Sequence, residues 1–361
     1  MKRFLECLIP ITACNLKCSY CYIIQENRRT SKQAEFQYSP KHIGKALSAE
    51  RLGGTSYISI CGSGETLLQK EITGIIYNIL EQGHYVNVTT NGTITQRHQE
   101  IINTIPNNLL KKLHFAFSFH YLELIKTNNL DVFFNNVRQV KEAGCSFIVQ
   151  INLCDEYMPH WDEIKRIVKE HTGAFPQVAL TRDETKQEYE ILTNKTQEEY
   201  FKIGKEMDSP LFEFTSKNFK VKRREFCYAG DWSGKLNLAT GILTSCYGYG
   251  ITQNIFEDLS TPIKFEPIGK NCPFAFCFNS SHFMSLGIIP SINTPTYAEL
   301  RDREDGSWYS PDMKTFLSQK LRDENIEYSK NQQLYFNSKY YVLNNIKKLK
   351  NKASRLYNRL K

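Results

Sequence analysis

The sequence predicts an α/β fold: a partial (β/α)6 TIM-like barrel followed by a small C-terminal β-hairpin/helix domain. Two observations carry this expectation. Over the first half of the chain, six apolar strand-like runs alternate with helix-like segments at a spacing of about 25 to 35 residues. From Cys227 the texture changes to short β-rich runs around a Thr240-Gly241 turn, with cysteines at either end.

The predicted strands are Phe4–Ile9, Tyr57–Cys61, Tyr85–Thr89, Leu113–Phe119, Phe147–Leu153 and Gln177–Leu180. Helix periodicity predicts Pro40–Arg51, Leu67–Gln82, Gln96–Asn103, Asp131–Ala143 and His160–His171 between them. Six such units close three-quarters of an eight-stranded barrel and leave one side open. Residues 183–225 read as a polar bridge with a helix at Gln197–Met207, and the chain from Tyr297 onward reads as mainly helical. The expected divisions are residues 1–205 for the barrel core, 206–295 for the small domain, and 296–361 for a helical extension.

Composition bounds the function. With 361 residues, 41% of them hydrophobic and 23% charged, the chain can bury a sizeable core. It holds no apolar run long enough to cross a bilayer. The N-terminal "MKRFLECLIPITAC" mimics an export signal, but Glu6 and Pro10 interrupt it. Eleven cysteines, an odd number without such a signal, favour a reducing cytoplasm and metal ligation over disulfides.

The net charge of +8 sits almost wholly in residues 343–361, which carry seven cations and no acid. The basicity therefore implies no nucleic-acid partner. Leu343, Ile346, Leu349, Ala353, Leu356 and Leu360 recur there at helical spacing. A basic amphipathic helix follows, either packed on its own protein or in peripheral contact with an anionic membrane.

Cys7, Cys61, Cys145 and Cys154 lie in apolar runs and read as core residues. Seven remain. Cys14, Cys18 and Cys21, spaced C-x3-C-x2-C directly after the first strand, sit where a barrel places its chemistry. Three thiolates leave one corner of a tetrahedral site, completed by a distant ligand or left open for an exogenous one. Cys227, Cys246, Cys272 and Cys277 form a second possible set, for a cluster or a structural zinc. Gln150 and Asn152 alternate on the fifth strand and share a face, as in the polar wall of a pocket. His120, Arg182 and Asp183 fall at or past strand ends, as candidate substrate contacts or proton acceptors.

The stretch "CNLKCSYCY" resembles the signature of the radical S-adenosylmethionine (radical SAM) superfamily, with the aromatic Tyr20 before its last cysteine. Three further segments follow in order: "CGSGETLL", resembling a Gly-Gly-Glu motif with Ser63 in place of the first glycine, then "VTTNGT", then "FAFSFH". The resemblance covers about residues 4–182. It implies a 4Fe-4S cluster on the three cysteines, whose open iron takes the methionine end of SAM. One electron then yields a 5′-deoxyadenosyl radical that abstracts hydrogen from a substrate. Gly62, Ser63, Gly64 and Glu65 would meet the methionine, Asn91 and Ser118 the rest of SAM, with Gln150 and Asn152 beside them.

Cys227, thirteen residues, Gly241, four residues and Cys246 resemble the opening of the SPASM and twitch domains of that superfamily. The dense cysteine run of the full SPASM pattern is missing, so the resemblance implies one auxiliary 4Fe-4S cluster on Cys227, Cys246, Cys272 and Cys277. It further implies an oxidoreductase served by a flavodoxin- or ferredoxin-type reductant. The expected substrate is carbohydrate- or aminocyclitol-like, undergoing dehydrogenation or epimerisation, with Cys145 or Cys154 as candidate hydrogen donors for the latter. A first strand starting at residue 4 leaves no separate leader-binding domain, which weighs against the alternative of a peptide-modifying maturase. An iron–sulfur or zinc-stabilised binding protein is the non-enzyme alternative.

Overall fold

Residues 1–186, 189–247 and 249–342 are described by the computed structural model. Six strands form the central sheet: β1 (Phe4–Ile9), β2 (Tyr57–Gly62), β3 (Tyr85–Thr90), β4 (Leu113–Ser118), β5 (Ser146–Leu153) and β6 (Gln177–Leu180). Each pairs in parallel with the next, as the predicted βα alternation requires. The predicted strand bounds agree with these to within one residue.

The helices differ more. The predicted Pro40–Arg51 is two short helices, Pro40–Ala46 and Ala49–Leu52, because Ser48 accepts the Arg51 amide and starts a new turn. Helices Tyr121–Lys126 and Pro210–Asn218 were not anticipated. The second has a local signal, since Ser209 caps it ahead of a proline in its first turn. The segment after Tyr297 is less helical than expected, with Tyr297–Arg301, Pro311–Leu317 and two 3-10 turns before a helix from 330 to 342. The predicted basic helix over 343–361 lies outside the described residues.

The C-terminal hairpin does not stand apart from the barrel sheet. Strand β7 (Arg182–Asp183) pairs with β8 (Glu190–Ile191) in a separate two-stranded sheet, whereas β9 (Ser233–Asn237) runs parallel to β1, matching Phe4 with Ser233 and Leu8 with Asn237. Strands β10 (Ile242–Cys246) and β11 (Tyr249–Asn254) extend it antiparallel, giving one nine-stranded sheet ordered β11-β10-β9-β1-β2-β3-β4-β5-β6. Gly241 makes the turn between β9 and β10 at φ +77°, and a Cβ there would lie 2.6 Å from both Asn254 and Phe256. Only glycine takes that backbone conformation in that space.

At the other edge, the helix Pro210–Asn218 packs on β6, and Ser209 donates to Gln177 at 2.7 Å. This helix covers part of the side that six βα units leave open. The core is continuous from β1 through both segments, with Tyr228 stacked on Trp232 at 3.8 Å.

Candidate functional site

The C-terminal ends of the parallel strands open into a cavity of about 400 Å³. Cys14, Cys18 and Cys21 line it, as do Tyr20, Gly62, Ser63, Gly64, Ser118, His120, Gln150, Asn152 and Arg182. Residues distant in sequence meet here because each follows or ends a barrel strand.

The cysteine loop is held by the strand beside it. Beyond the last β1–β2 pair, the amides of Ser63, Gly64 and Glu65 donate to the carbonyls of Ile9, Ile11 and Ala13 at 3.3, 2.6 and 2.9 Å. A Cβ on Gly64 would lie 2.1 Å from the Ala13 carbonyl oxygen. The close approach that this glycine serves is therefore to the cysteine loop of its own chain. Ser63 in the first glycine's place is accommodated, and it faces the cavity beside Tyr22.

Glu65 and Asn91 are not among the cavity-lining residues. The buried Glu65 carboxylate accepts from the amides of Leu67 and Asn91 at 2.9 and 2.7 Å and from the Thr90 hydroxyl at 2.7 Å. Burial raises its pKa, and those three donors counter the rise. Glu65 thus ties the end of β2 to the end of β3. Asn91 stands behind the cysteine loop, its amide nitrogen 2.8 Å from Asn15 Oδ1 and 3.8 Å from the Cys14 sulfur.

Tyr20 and His120 join at 2.6 Å, and Tyr157 adds a hydroxyl 3.1 Å from that of Tyr20. Burial pushes the His120 imidazole down to about 4, so it is neutral at physiological pH. No partner is recorded among the described residues for the side chains of Ser118, Gln150 and Asn152, which face the cavity with free hydrogen-bonding capacity. Arg182 is already engaged, by Glu184 at 2.9 Å and by the Phe278 carbonyl at 2.9 Å. Asp183 does not line the cavity; its carboxylate accepts from Thr185 and faces Lys186.

Cys227, Cys246, Cys272 and Cys277 line one small cavity of about 40 Å³, walled by Phe274, Phe276 and Phe283. Cys277 lines both cavities, as do its neighbours Phe276 and Phe278. The segment Phe276–Phe278 thus forms a wall common to the two cavities.

The donor sets fit iron–sulfur ligation. Burial raises Cys14 to about 11 and Cys277 to about 12, raises Cys18, Cys227 and Cys246 as well, and neighbouring cysteines raise these further. Main-chain amides two residues on oppose this at three of them, Leu16 at Cys14, Ala229 at Cys227 and Asn279 at Cys277. Amide donors aimed at sulfur stabilise the thiolate and the charge of a bound cluster. Among the described residues, no group of three or more His, Cys, Asp or Glu is arranged to hold a single metal ion.

The remaining cysteines behave as core residues. Cys7, Cys145 and Cys154 are buried and Cys61 nearly so. Neither Cys145 nor Cys154 lines the cavity. Cys145 precedes β5 and so sits at the opposite end of the barrel from the site.

Sequence reasoning passed over Glu6. It lies on β1, and its carboxylate accepts from the Tyr247 hydroxyl at 3.0 Å and the Asn279 amide at 3.4 Å. Burial raises its pKa against the opposing charge of Lys235. Tyr247 lines the small cavity and Asn279 the large one, so Glu6 braces the wall between them. A lone carboxylate inside "FLECLI" was the available signal. Arg29, also passed over, lines the cavity and donates to the Cys14 carbonyl.

Residues 8–169 match the family model described as the radical SAM superfamily. The matched segment holds the three-cysteine loop and strands β2 to β5, and members of that superfamily are enzymes. No curated protein matches the chain. Among solved structures, the chain is similar to Streptococcus suis SuiB bound to S-adenosylmethionine, at 15% identity and a TM-score of 0.51 over 71% of this chain and 64% of that one. Another structure of Streptococcus suis SuiB gives 16% identity and a TM-score of 0.51 over the same shares. Native anSMEcpe with bound AdoMet gives 14% identity and a TM-score of 0.47 over 95% of this chain and 98% of that one. The SuiB likeness is one of fold, and the match spans about 64% of that protein's length.

Proposed function

We propose that the protein cleaves S-adenosylmethionine reductively and abstracts hydrogen from a small hydroxylated substrate of carbohydrate or aminocyclitol type. Cys14, Cys18 and Cys21 hold the first 4Fe-4S cluster in this reading. Cys227, Cys246, Cys272 and Cys277 hold an auxiliary 4Fe-4S cluster in a twitch-like segment. When bound, the clusters and SAM supply single electrons and the hydrogen-abstracting radical.

The observation that carries the reading is one cavity lined both by the three-cysteine loop and by Ser118, Gln150 and Asn152, polar groups without recorded partners among the described residues. Such groups favour a ligand rich in hydroxyls and amines, since burying them against an apolar one would leave them unsatisfied. SAM itself would use some of them, with Ser118 placed for its ribose. His120 is neutral, and with its Nδ1 held by the Tyr20 hydroxyl its Nε2 can meet a substrate hydroxyl. The helix Pro210–Asn218 and the Phe276–Phe278 segment exclude water from the side that the barrel leaves open.

Cys277 on the shared wall supports a net oxidation, because an auxiliary acceptor there lies beside the substrate. Dehydrogenation is favoured over epimerisation by Cys145 and Cys154, neither of which reaches the cavity to return a hydrogen atom. A flavodoxin- or ferredoxin-type protein is the expected electron source.

The test is iron and sulfide analysis of anaerobically reconstituted protein alongside reductive SAM cleavage, wild type against Cys18→Ala. About eight irons with cleavage that the variant loses is the expected result. Zinc alone, in protein purified without oxygen, would refute it. Products from candidate aminocyclitols and from peptides, resolved by mass, then decide the substrate class.

A further inference from the structure

The helix from 330 to 342 has two unlike faces. One is bound to the protein: Phe336 stacks on Tyr328 at 5.1 Å, the Asn337 side chain accepts the Lys270 amide at 2.9 Å, and Lys339 pairs with Glu266 at 2.5 Å. Tyr340 is buried beside them. The other face presents Leu334, Tyr335, Tyr341 and Val342, exposed by 65, 60, 64 and 53%. Ile326, just before the helix, is 90% exposed. These five are most of the large hydrophobic residues that the described chain leaves in solvent, and their clustering marks an interaction surface.

The seven-residue spacing of apolar side chains recurs in the sequence past residue 342. Tyr335 and Val342 are seven residues apart, and Leu349 and Leu356 follow at the same step. Between them stand the cations Lys347, Lys348, Lys350, Lys352 and Arg355, with no carboxylate from 343 to 361.

We propose that this face docks the protein on an anionic lipid bilayer. Charge selects the occupant. A second copy of the chain would bring an equally cationic segment against the first, and the two would repel. A nucleic acid would satisfy the cations but give Leu334, Tyr335, Tyr341 and Val342 nothing to bury against. An anionic bilayer satisfies both, taking the apolar side chains below the headgroups and the cations among them. The attachment is peripheral, for no helix among the described residues is long and apolar enough to cross a membrane. It would set the barrel at a surface where amphiphilic or lipid-linked substrates concentrate.

The experiment is flotation of the reconstituted full chain with phosphatidylglycerol–phosphatidylcholine vesicles and with phosphatidylcholine alone. Binding to the anionic vesicles only, weakened by salt, is expected. Leu334→Ser, Tyr335→Ser and Val342→Ser together should weaken it by roughly tenfold or more, with melting temperature and SAM cleavage unchanged. Neutralising Lys347, Lys348, Lys350 and Lys352 to Gln should do the same. Equal binding of the triple variant, or no binding to anionic vesicles, overturns the proposal. So does a dimer in light scattering that the triple variant abolishes, because the face would then be covered by a second copy. Oligonucleotide binding without vesicle binding overturns it in favour of nucleic acid.

Discussion

Tyr20 and His120, a hundred residues apart in sequence, meet at 2.6 Å between the phenol oxygen and Nδ1. Burial raises the phenol and depresses the imidazole, so the phenol keeps its proton and the ring is neutral at physiological pH. The Tyr157 hydroxyl stands 3.1 Å from that of Tyr20 and extends the chain of polar groups. The aromatic residue inside the cysteine signature thereby positions a residue at the end of the fourth strand.

Tyr20→Phe should leave cluster content and SAM cleavage intact while product formation falls about tenfold, the worth of one buried hydrogen bond. Product formation at the wild-type rate would show that the imidazole needs no such orientation.

Gly64→Ala should disable the first cluster selectively. The new methyl meets the Ala13 carbonyl at 2.1 Å, and both are backbone groups that cannot turn aside. Overpacking of this kind costs about 1–3 kcal/mol and displaces the loop. Iron should drop by about half, to the four of one cluster, with SAM cleavage lost. Full iron content would mean that the cysteine loop tolerates the shift.

Cys272→Ala and Cys277→Ala should separate radical generation from turnover. SAM cleavage should persist while product from the native substrate collapses, because the proposed auxiliary cluster would act after hydrogen abstraction. Wild-type product formation by both variants would leave that site a structural role.

Stability should fall as pH drops below the ordinary histidine range. His84, His98, His114, His120 and His282 are all lowered by burial, His98 to about 4 and His114 to about 3. The unfolded chain takes up protons near pH 6.5 that the folded chain refuses, so their stability is complete above 6.5 and lost towards the folded values. His98, His114 and His120, lowered to about 4 or below, each lose about 1.4 kcal/mol by pH 5.5. His98 stacks on Phe117 at 5.6 Å, with no recorded partner on Nε2 among the described residues. Its replacement by Phe should flatten the stability–pH slope measured by denaturant titration between pH 7.5 and 5.5. An unchanged slope would remove His98 from the account.

Local pattern determined the six parallel strands, the cysteine loop after β1 and the turn at Gly241, because alternation, spacing and turn chemistry act between near neighbours. The four later cysteines were legible as a set for the same reason. Tertiary structure decided that β9 runs parallel to β1 and joins the hairpin to the barrel sheet. A strand edge offers the same backbone donors whatever its side chains, so no residue announces its partner. It decided that Glu65 ties β2 to β3, that Gly64 makes room for Ala13, and that Glu6 is buried between two cavities. Each depends on which distant groups remove water from a side chain, and that is set when the sheet closes and the helix Pro210–Asn218 covers its open side.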